Sequence, residues 1–288
     1  NYSFFDCKQK KEFFSILKRI ASDNTVIHLR GEVFCQALKQ AVNKLDSSNV
    51  KVLIDVRGAG YEETLLYNKL KPVQHQLKLL QSKRSMKSIG QSCDSVSCVS
   101  EELRQYVLKR TIIDDSKVYV NHCIAGDDFV FSNDIRLKYR DKLGIKNEDV
   151  VFVFVTGSNS KWQNAERIIN SIIKMDYKIL NLSKQKIHMN NVINTFVPYS
   201  EVPNYLNAAD IAIVWRNDDI VNNVASPVKF SEYVCCGLPV IANNGVYLIN
   251  DYISNTGYGE TIKSFEDINK NIVSKLLSID RSLITENA

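Results

Sequence analysis

Residues 226–243 read SPVKFSEYVCCGLPVIAN and predict a helix that is followed directly by a strand. Ser226 is a favourable N-cap residue, and Pro227 suits the first helical position, where the N–H group that proline lacks would have no intrahelical acceptor. Gly237 is expected to end the helix, and the apolar residues 238–242 are expected to form the strand. This stretch therefore predicts one helix-to-strand step of an α/β domain.

Short apolar runs alternate with longer amphipathic stretches along most of the 288 residues, which indicates repeated βα units. Runs that are apolar throughout, such as VVFVFV at 150–155, suit a parallel sheet with both faces covered. Nine strands are predicted, at Val26–Leu29, Val50–Val56, Ser95–Val99, Lys117–Val120, Val150–Thr156, Tyr177–Leu182, Val192–Phe196, Ile211–Val214 and Val240–Ala242. Helices are predicted between strands, among them Gln36–Leu45, Glu101–Lys109, Asn164–Lys174 and Pro203–Ala208.

A polar, lysine-rich stretch at 127–149 marks the predicted boundary between two domains. We assign residues 1–130 to the first domain and residues 131–288 to the second. The expected fold class is α/β, with two doubly wound Rossmann-like domains that face a cleft. Ligands of such domains bind at the carboxyl ends of the parallel strands.

The composition is that of a soluble globular protein, with 44% apolar and 24% charged residues and no apolar run long enough to cross a bilayer. The net charge of +5 suits anionic partners but is too small to indicate nucleic acid. The seven cysteines lack the spacing of a disulfide framework, which favours the cytosol. Cys93, Cys98, His122 and Cys123 could hold a metal, although buried thiols are the simpler interpretation.

The predicted helix at 226–236 suggests a site for an anion. Amide groups in a first helical turn and the positive end of the helix dipole attract phosphate, and Lys229 would add a charge there. Glu232 follows three residues later on the same face, one turn deeper, where a carboxylate could accept both hydroxyls of a ribose. The alternative is an ordinary capped helix with a surface Lys–Glu pair.

Five runs carry a resemblance to a known family: TGSNSKWQ at 156–163, PYSEVPNY at 198–205, NAADIAIV at 207–214, SPVKFSEYVCCGLPVIA at 226–242 and GYG at 257–259. Together they are similar to the donor domain of GT-B glycosyltransferases of the glycosyltransferase family 4 type. The resemblance implies a retaining transferase that binds a nucleotide-diphospho-sugar. No metal or further cofactor is expected, because the helix start, Lys161, Lys229 and Arg216 could stabilise the leaving diphosphate. The donor-binding residues that it implies are Gly157, Ser158, Lys161, Asn222, Ser226, Pro227, Val228, Lys229 and Glu232.

The amino-terminal half resembles the acceptor domain of the same family more weakly. The runs IHLRG at 27–31 and IDVRG at 54–58 match successive strand ends, and no counterpart of the family's first strands precedes them. His28 could orient an acceptor at such a strand end. Asp55 and Arg57 form either part of a site or a structural ion pair.

One departure from the family concerns the donor sugar. Many members carry a glutamate eight residues before the one that binds ribose, and this chain has Val224 there. Arg216 and Asn222 are the candidates to replace that contact. The resemblance and these residues give Arg216, Lys229, Glu232 and His28 as the candidate catalytic residues.

The expected function is transfer of a hexosyl or related sugar to an acceptor hydroxyl, in surface polysaccharide or glycolipid assembly. The expected partners are the nucleotide-sugar donor and a glycan or lipid-linked acceptor, in the cytoplasm or at the inner face of the membrane. The basic stretch with Lys83, Arg84 and Lys87 either contacts anionic lipid or is a solvated helix face. Two other functions stay open: a sugar-nucleotide-binding protein without transferase activity, and a sugar-nucleotide epimerase.

Overall fold

The computed structural model describes residues 25–42, 50–155 and 165–288, together with Glu12, Ser15 and Ile16. The chain divides into two compact units, residues 1–122 and residues 123–288. Within the described residues, no helix combines the length and the apolar character needed to cross a membrane.

The first unit contains a parallel sheet with the strand order β1-β2-β3-β4. Its strands are β1 Val26–Arg30, β2 Lys51–Val56, β3 Ser95–Cys98 and β4 Val118–Val120. Its described helices are α1 Cys35–Val42, α2 Gly60–Tyr67, α3 Pro72–Ser88 and α4 Glu101–Leu108. Exposed and buried residues alternate along β1, whereas the second half of β2 is buried throughout. One face of β1 is therefore open to solvent.

The second unit contains a parallel sheet with the strand order β10-β9-β8-β5-β6-β7. Its strands are β5 Val151–Val155, β6 Lys178–Leu182, β7 Val192–Thr195, β8 Ile211–Val214, β9 Val240–Ala242 and β10 Gly259–Thr261. Its described helices are α5 Asn133–Lys142, α6 Ala165–Ile173, α7 Val202–Ala208, α8 Ile220–Asn223, α9 Val228–Cys235, α10 Tyr247–Thr256, α11 Lys270–Leu277 and α12 Arg281–Glu286.

Side chains from the central strand β5 enter two separate cores, one on each face of the second sheet. Val151 and Val153 pack into one core, and Phe152 and Phe154 pack into the other. Successive side chains of a strand point to opposite faces, so an unbroken apolar run needs cover on both sides. The two cores and the two parallel sheets confirm the predicted α/β fold class.

Asp210, which ends the run NAAD, ties the start of β5 to helix α5 of the second unit. Its carboxylate accepts a hydrogen bond from the Val151 N–H at 2.8 Å and pairs with the Arg136 and Arg140 guanidinium groups. Arg281 donates to the carbonyl oxygens of Ala209 and Cys236 at 2.9 and 2.8 Å. The second of these bonds holds the carboxyl end of α9 in place.

All nine predicted strands are present, each within one residue of its predicted ends. The tenth, β10, was not predicted because GET carries no apolar run. In the structure, β10 is marked by a close approach of its backbone to that of β9: a Cβ atom on Gly259 would lie 2.4 Å from the carbonyl oxygen of Val240. Only glycine allows β10 to pair with β9 at that distance.

Candidate functional site

The second sheet reverses its direction of growth between β5 and β8. The chain runs from β5 to β6 and β7 on one side, then returns to add β8, β9 and β10 on the other. This is the dinucleotide-binding strand order, and the carboxyl ends of its two central strands leave a crevice where ligands bind. A cavity lies at this point, lined by Phe154, Val155, Ile213, Val214, Trp215, Arg216, Pro227, Lys229 and Tyr233.

Helix α9 begins at this crevice, one residue later than predicted. Pro227 is its N-cap, with an extended ψ of 117°, so the prediction of Ser226 as the N-cap is wrong. Ser226 is not available as a cap because its Oγ accepts a hydrogen bond from the Cys123 N–H at 3.0 Å. Proline has no side-chain oxygen to bond the first amides of the helix, which have no intrahelical acceptor. The start of α9 is thus suited to an external anion.

Two serines hold the first turn of α9 against Cys123, the first residue of the second unit. Besides the bond to Ser226, the Cys123 carbonyl oxygen accepts a hydrogen bond from the Ser231 Oγ at 2.7 Å. Both backbone groups of Cys123 are therefore bonded to residues at the start of this helix. These bonds limit how far the first turn can move when a ligand binds.

Lys229 lies in the first turn of α9 and lines the cavity beside Arg216. Burial lowers the pKa of its ammonium group, the Glu232 carboxylate opposes that effect, and the positive charge of Arg216 adds to it. Two cations held next to each other repel, and a bound anion relieves the repulsion. The electrostatics of this corner therefore favour a phosphate.

Glu232 is buried one turn deeper in α9, with only 4% of its surface exposed. Burial raises the pKa of its carboxyl group, while a hydrogen bond from Tyr199 and the charge of Lys229 oppose that rise. The Tyr199 hydroxyl donates to Oε1 at 2.9 Å. A carboxylate has about four lone-pair sites, so Glu232 can also accept hydrogen bonds from the two hydroxyls of a ribose.

Tyr199 was not among the predicted site residues. The residue is 61% exposed, and its ring lies tilted against that of Phe129, with 5.5 Å between the ring centroids. Its sequence context, PYSE, gives no sign of a contact with a residue 33 positions away. The tyrosine thus adds an exposed aromatic face beside the buried carboxylate.

The backbone of Arg216 is fixed just after the end of β8. The Asn243 side chain accepts a hydrogen bond from its N–H at 3.1 Å and donates one to its carbonyl oxygen at 2.7 Å. Gly245 packs against the same carbonyl, where a Cβ atom would lie 2.4 Å from the oxygen. The side chain of Arg216 therefore starts from a rigid point at the rim of the cavity.

Asn222 lies in the short helix α8, which Asp219 caps. Its side-chain nitrogen donates to both carboxylate oxygens of Asp219, each at 3.2 Å, and the residue is buried. The nitrogen is thus engaged in capping, which leaves the amide oxygen for the predicted sugar contact. Val224 ends α8 and is also buried.

Three of the predicted residues line this cavity: Arg216, Pro227 and Lys229. Gly157, Ser158 and Lys161 lie outside the described residues. His28 lies in the first unit at the middle of β1, not at the strand end where it was expected, and its side chain is exposed. Asp55 and Arg57 form an ion pair at 3.3 Å.

The described residues contain no group of three or more His, Cys, Asp or Glu side chains placed to hold a metal ion. Among the described residues, Lys229, Arg216 and the start of α9 contribute positive charge at the cavity.

No protein-family model matches the sequence, and no curated protein matches it either. Solved structures of glycosyltransferases do resemble the fold. Sucrose-phosphate synthase from Thermosynechococcus elongatus is 13% identical with a TM-score of 0.65, over 96% of this chain and 69% of that one. A glycosyltransferase from Rickettsia africae is 16% identical with a TM-score of 0.64, over 99% and 77%. HepE from Anabaena in complex with UDP-glucose is 11% identical with a TM-score of 0.66, over 96% and 80%.

These likenesses define a class of fold. The chain has two Rossmann-like units of the kind found in GT-B glycosyltransferases. At 11–16% identity the comparisons establish the fold alone.

The end of β5 is held by a hydrogen bond to a buried tyrosine, and the removal of this bond should destabilise the second unit. The Val155 N–H donates to the Tyr233 hydroxyl at 3.1 Å, and Tyr233 is fully buried. Tyr233→Phe leaves that N–H unpaired, so we expect a loss of about 1–3 kcal/mol in the free energy of unfolding, measured in urea. Tyr252→Phe is the matched control, because the Tyr252 hydroxyl is buried without a hydrogen-bond partner in the described chain. Equal losses for both variants would contradict the assignment.

Proposed function

We propose that this chain is a retaining glycosyltransferase that moves a hexosyl or related sugar from a nucleotide-diphospho-sugar to an acceptor hydroxyl. One observation carries the proposal. The start of α9, with Lys229 in its first turn and the buried Glu232 one turn deeper, lies at the strand-order reversal between β5 and β8. A diphosphate at the helix start places the ribose of the same nucleotide near the carboxylate.

The reaction breaks the bond between the anomeric carbon and the diphosphate oxygen and the O–H bond of the acceptor. It forms a bond from that carbon to the acceptor oxygen, and the departing diphosphate takes up the proton of the acceptor hydroxyl. Negative charge develops on the departing diphosphate, and the site must stabilise it. The groups proposed to stabilise it are the α9 amides, Lys229 and Arg216, because charges and dipoles that are fixed before the reaction are the main source of electrostatic catalysis. Lys161 is proposed to act with them on the basis of the sequence resemblance.

We assign acceptor binding to the first unit, with His28 as a candidate to orient the acceptor hydroxyl. The proposed acceptor is a glycan or a lipid-linked sugar, and the proposed setting is polysaccharide or glycolipid assembly in the cytoplasm. The donor complexes of HepE with UDP-glucose support a sugar nucleotide as the ligand class.

Two measurements test the function together. We expect one of a panel of UDP-, GDP-, ADP- and dTDP-sugars to raise the melting temperature by mass action, and the same donor to release its nucleoside diphosphate when incubated with the protein. Release should persist in excess EDTA, because metal-dependent transferases bridge the diphosphate with a divalent ion. Stabilisation without release would indicate a binding protein, an isomerised donor seen by NMR would indicate an epimerase, and loss in EDTA with rescue by manganese would contradict the metal-free site.

A further inference from the structure

Helix α9 carries both Lys229 and Glu232, so the direction of this helix sets where the two side chains lie. At its far end the carbonyl oxygen of Cys236, the C-cap residue, accepts a hydrogen bond from Arg281 Nη2 at 2.8 Å. The last carbonyls of a helix have no intrahelical donor, and a cation there also interacts favourably with the helix dipole. Arg281, the first residue of α12, therefore holds the end of α9 that lies opposite the cavity.

The same guanidinium group also bonds to a second element of the unit. Its Nη1 donates to the carbonyl oxygen of Ala209 at 2.9 Å, in the turn between α7 and β8. Its Cζ lies over the ring of Phe131, 4.2 Å from the ring centroid. One side chain thus connects the end of α9 to the start of β8, the strand whose other end lies at the cavity.

The surroundings of Arg281 disfavour its charge. Burial lowers the pKa of its guanidinium group to about 9, the charge of Arg136 adds to that effect and Asp210 opposes it. Among the described residues no carboxylate forms an ion pair with Arg281, and its buried Nε has no hydrogen-bond partner. A buried charge without an ion pair is destabilising. The cation is thus a poor choice for packing alone, and what it provides here is two carbonyl contacts from one rigid group.

The backbone of α12 also packs directly against the end of α9. Gly237 follows the C-cap with a φ of +67°, and a Cβ atom there would lie 2.7 Å from the carbonyl oxygen of Arg281 and 3.1 Å from Thr285 Oγ1. Glycine allows both this backbone conformation and this close approach. The spacing of the two helices is therefore set by a backbone contact, and it keeps Arg281 within reach of Cys236.

The start of α9 has a separate attachment, because Ser226 and Ser231 both bond to Cys123. Attachment to a single residue leaves a helix free to swing about that point, whereas a second attachment at the far end fixes its direction. Helix α9 has eight residues and is thus about 12 Å long. Its direction consequently depends on the contact with Arg281.

We propose that Arg281 is a positioning residue of the donor site, because it fixes the direction of α9 and so places Lys229 at the diphosphate and Glu232 at the ribose. The inference rests on the proposed function and gives Arg281 no contact with the donor. Without this contact α9 remains helical but varies in direction, and both donor contacts weaken. A misplacement of about 1 Å can lower the performance of a site about a hundredfold.

Hydrogen exchange of the free protein, followed by mass spectrometry, tests the attachment. Arg281→Lys keeps the charge, but one ammonium group lacks the fork geometry that bridges the carbonyls of Cys236 and Ala209. We expect the α9 amides to exchange at least about tenfold faster in this variant, as the loss of one hydrogen bond of a charged group implies. Arg136→Lys is the matched control, because Arg136 also donates to the Ala209 carbonyl, at 2.7 Å, and pairs with Asp210 instead of α9.

Titration calorimetry with inorganic pyrophosphate tests the consequence for the site. We expect Arg281→Lys to bind pyrophosphate about tenfold more weakly, and Arg136→Lys to bind it like the unmodified chain. Gly237→Ala should also weaken binding, because its Cβ atom would push α12 away from α9. Gly144→Ala is the control for that variant, since Gly144 has a similar φ of +64° but nothing within 4 Å of an added Cβ atom.

Equal pyrophosphate affinity in Arg281→Lys and the unmodified chain would overturn the proposal, and so would equal losses in Arg281→Lys and Arg136→Lys. If Arg281→Lys does not fold, the comparison of Gly237→Ala with Gly144→Ala decides in the same way. An unmodified chain that binds no pyrophosphate would overturn both the donor site and the role of Arg281. A chain that binds pyrophosphate but releases no nucleoside diphosphate from any donor would reject the transferase alone, and the variants would still decide the role of Arg281.

Discussion

Glu232→Gln is expected to weaken binding of the sugar nucleotide by about 1.5–3 kcal/mol, the range for hydrogen bonds to a charged group. Glutamine has nearly the same shape, but a neutral amide replaces a charged acceptor of two hydroxyl groups. Titration calorimetry with the nucleotide that stabilises the protein most measures the loss. Unchanged affinity in this variant would contradict the assignment of Glu232 to the ribose hydroxyls.

Glu201→Gln is a matched control for this substitution. The Glu201 carboxylate also accepts a hydrogen bond from a tyrosine hydroxyl, that of Tyr139 at 2.9 Å, but it lies at the start of α7 and not on α9. We expect its replacement to leave nucleotide affinity unchanged. An equal loss in both variants would mean that the substitution acts through the fold.

The raised pKa of Glu232 gives the same assignment a pH dependence. Only the ionised carboxylate binds ribose strongly, so affinity should fall as the pH decreases through the raised pKa of this group. The hydrogen bond from Tyr199 opposes the rise, so Tyr199→Phe should move the fall in affinity to higher pH. A pH profile that is identical in the two proteins would contradict the role given to this hydrogen bond.

Much of the fold follows from the sequence because the sheet of the second unit is covered on both faces. Strands such as β5 and β8 must then be apolar at every position, and they stand out from the polar loops around them. Strand β10 does not stand out in the sequence, because it is an edge strand that pairs through a close glycine contact and needs no apolar run. Edge strands are thus the part of this fold that patterns predict least well.

The candidate site is predictable where its residues are local in sequence. Lys229 and Glu232 were predicted because one helix carries both, three residues apart. Tyr199 was not, because its contact with Glu232 depends on how β7, α7 and α9 pack. Ser226 was predicted as the N-cap of α9 but lies one residue before it. This too depends on tertiary structure, because the Ser226 hydroxyl bonds to Cys123, 103 positions away.

Lys229→Ala should weaken binding of the nucleoside diphosphate by about 1.5–3 kcal/mol while changing that of the nucleoside little. The side chain lines the cavity at the start of α9, so its charge acts on phosphate, not on the base or the ribose. Lys270→Ala, which removes the charge of an exposed residue of the same unit, is the control and should bind both ligands normally. The comparison of the two ligands on each variant is made by titration calorimetry, and equal losses for both ligands in Lys229→Ala would show that the lysine acts through the fold.

The lowered pKa of Lys229 adds a second readout to this variant. Burial and Arg216 favour loss of its proton in the free protein, whereas a bound diphosphate favours the ammonium form. Diphosphate affinity should therefore fall as the pH rises through the lowered pKa of the free protein, with uptake of a proton on binding. Lys229→Ala has no such proton to take up, so this part of the pH dependence should disappear. If the decline at high pH is as steep in Lys229→Ala as in the unmodified chain, Lys229 is not the group that binds phosphate.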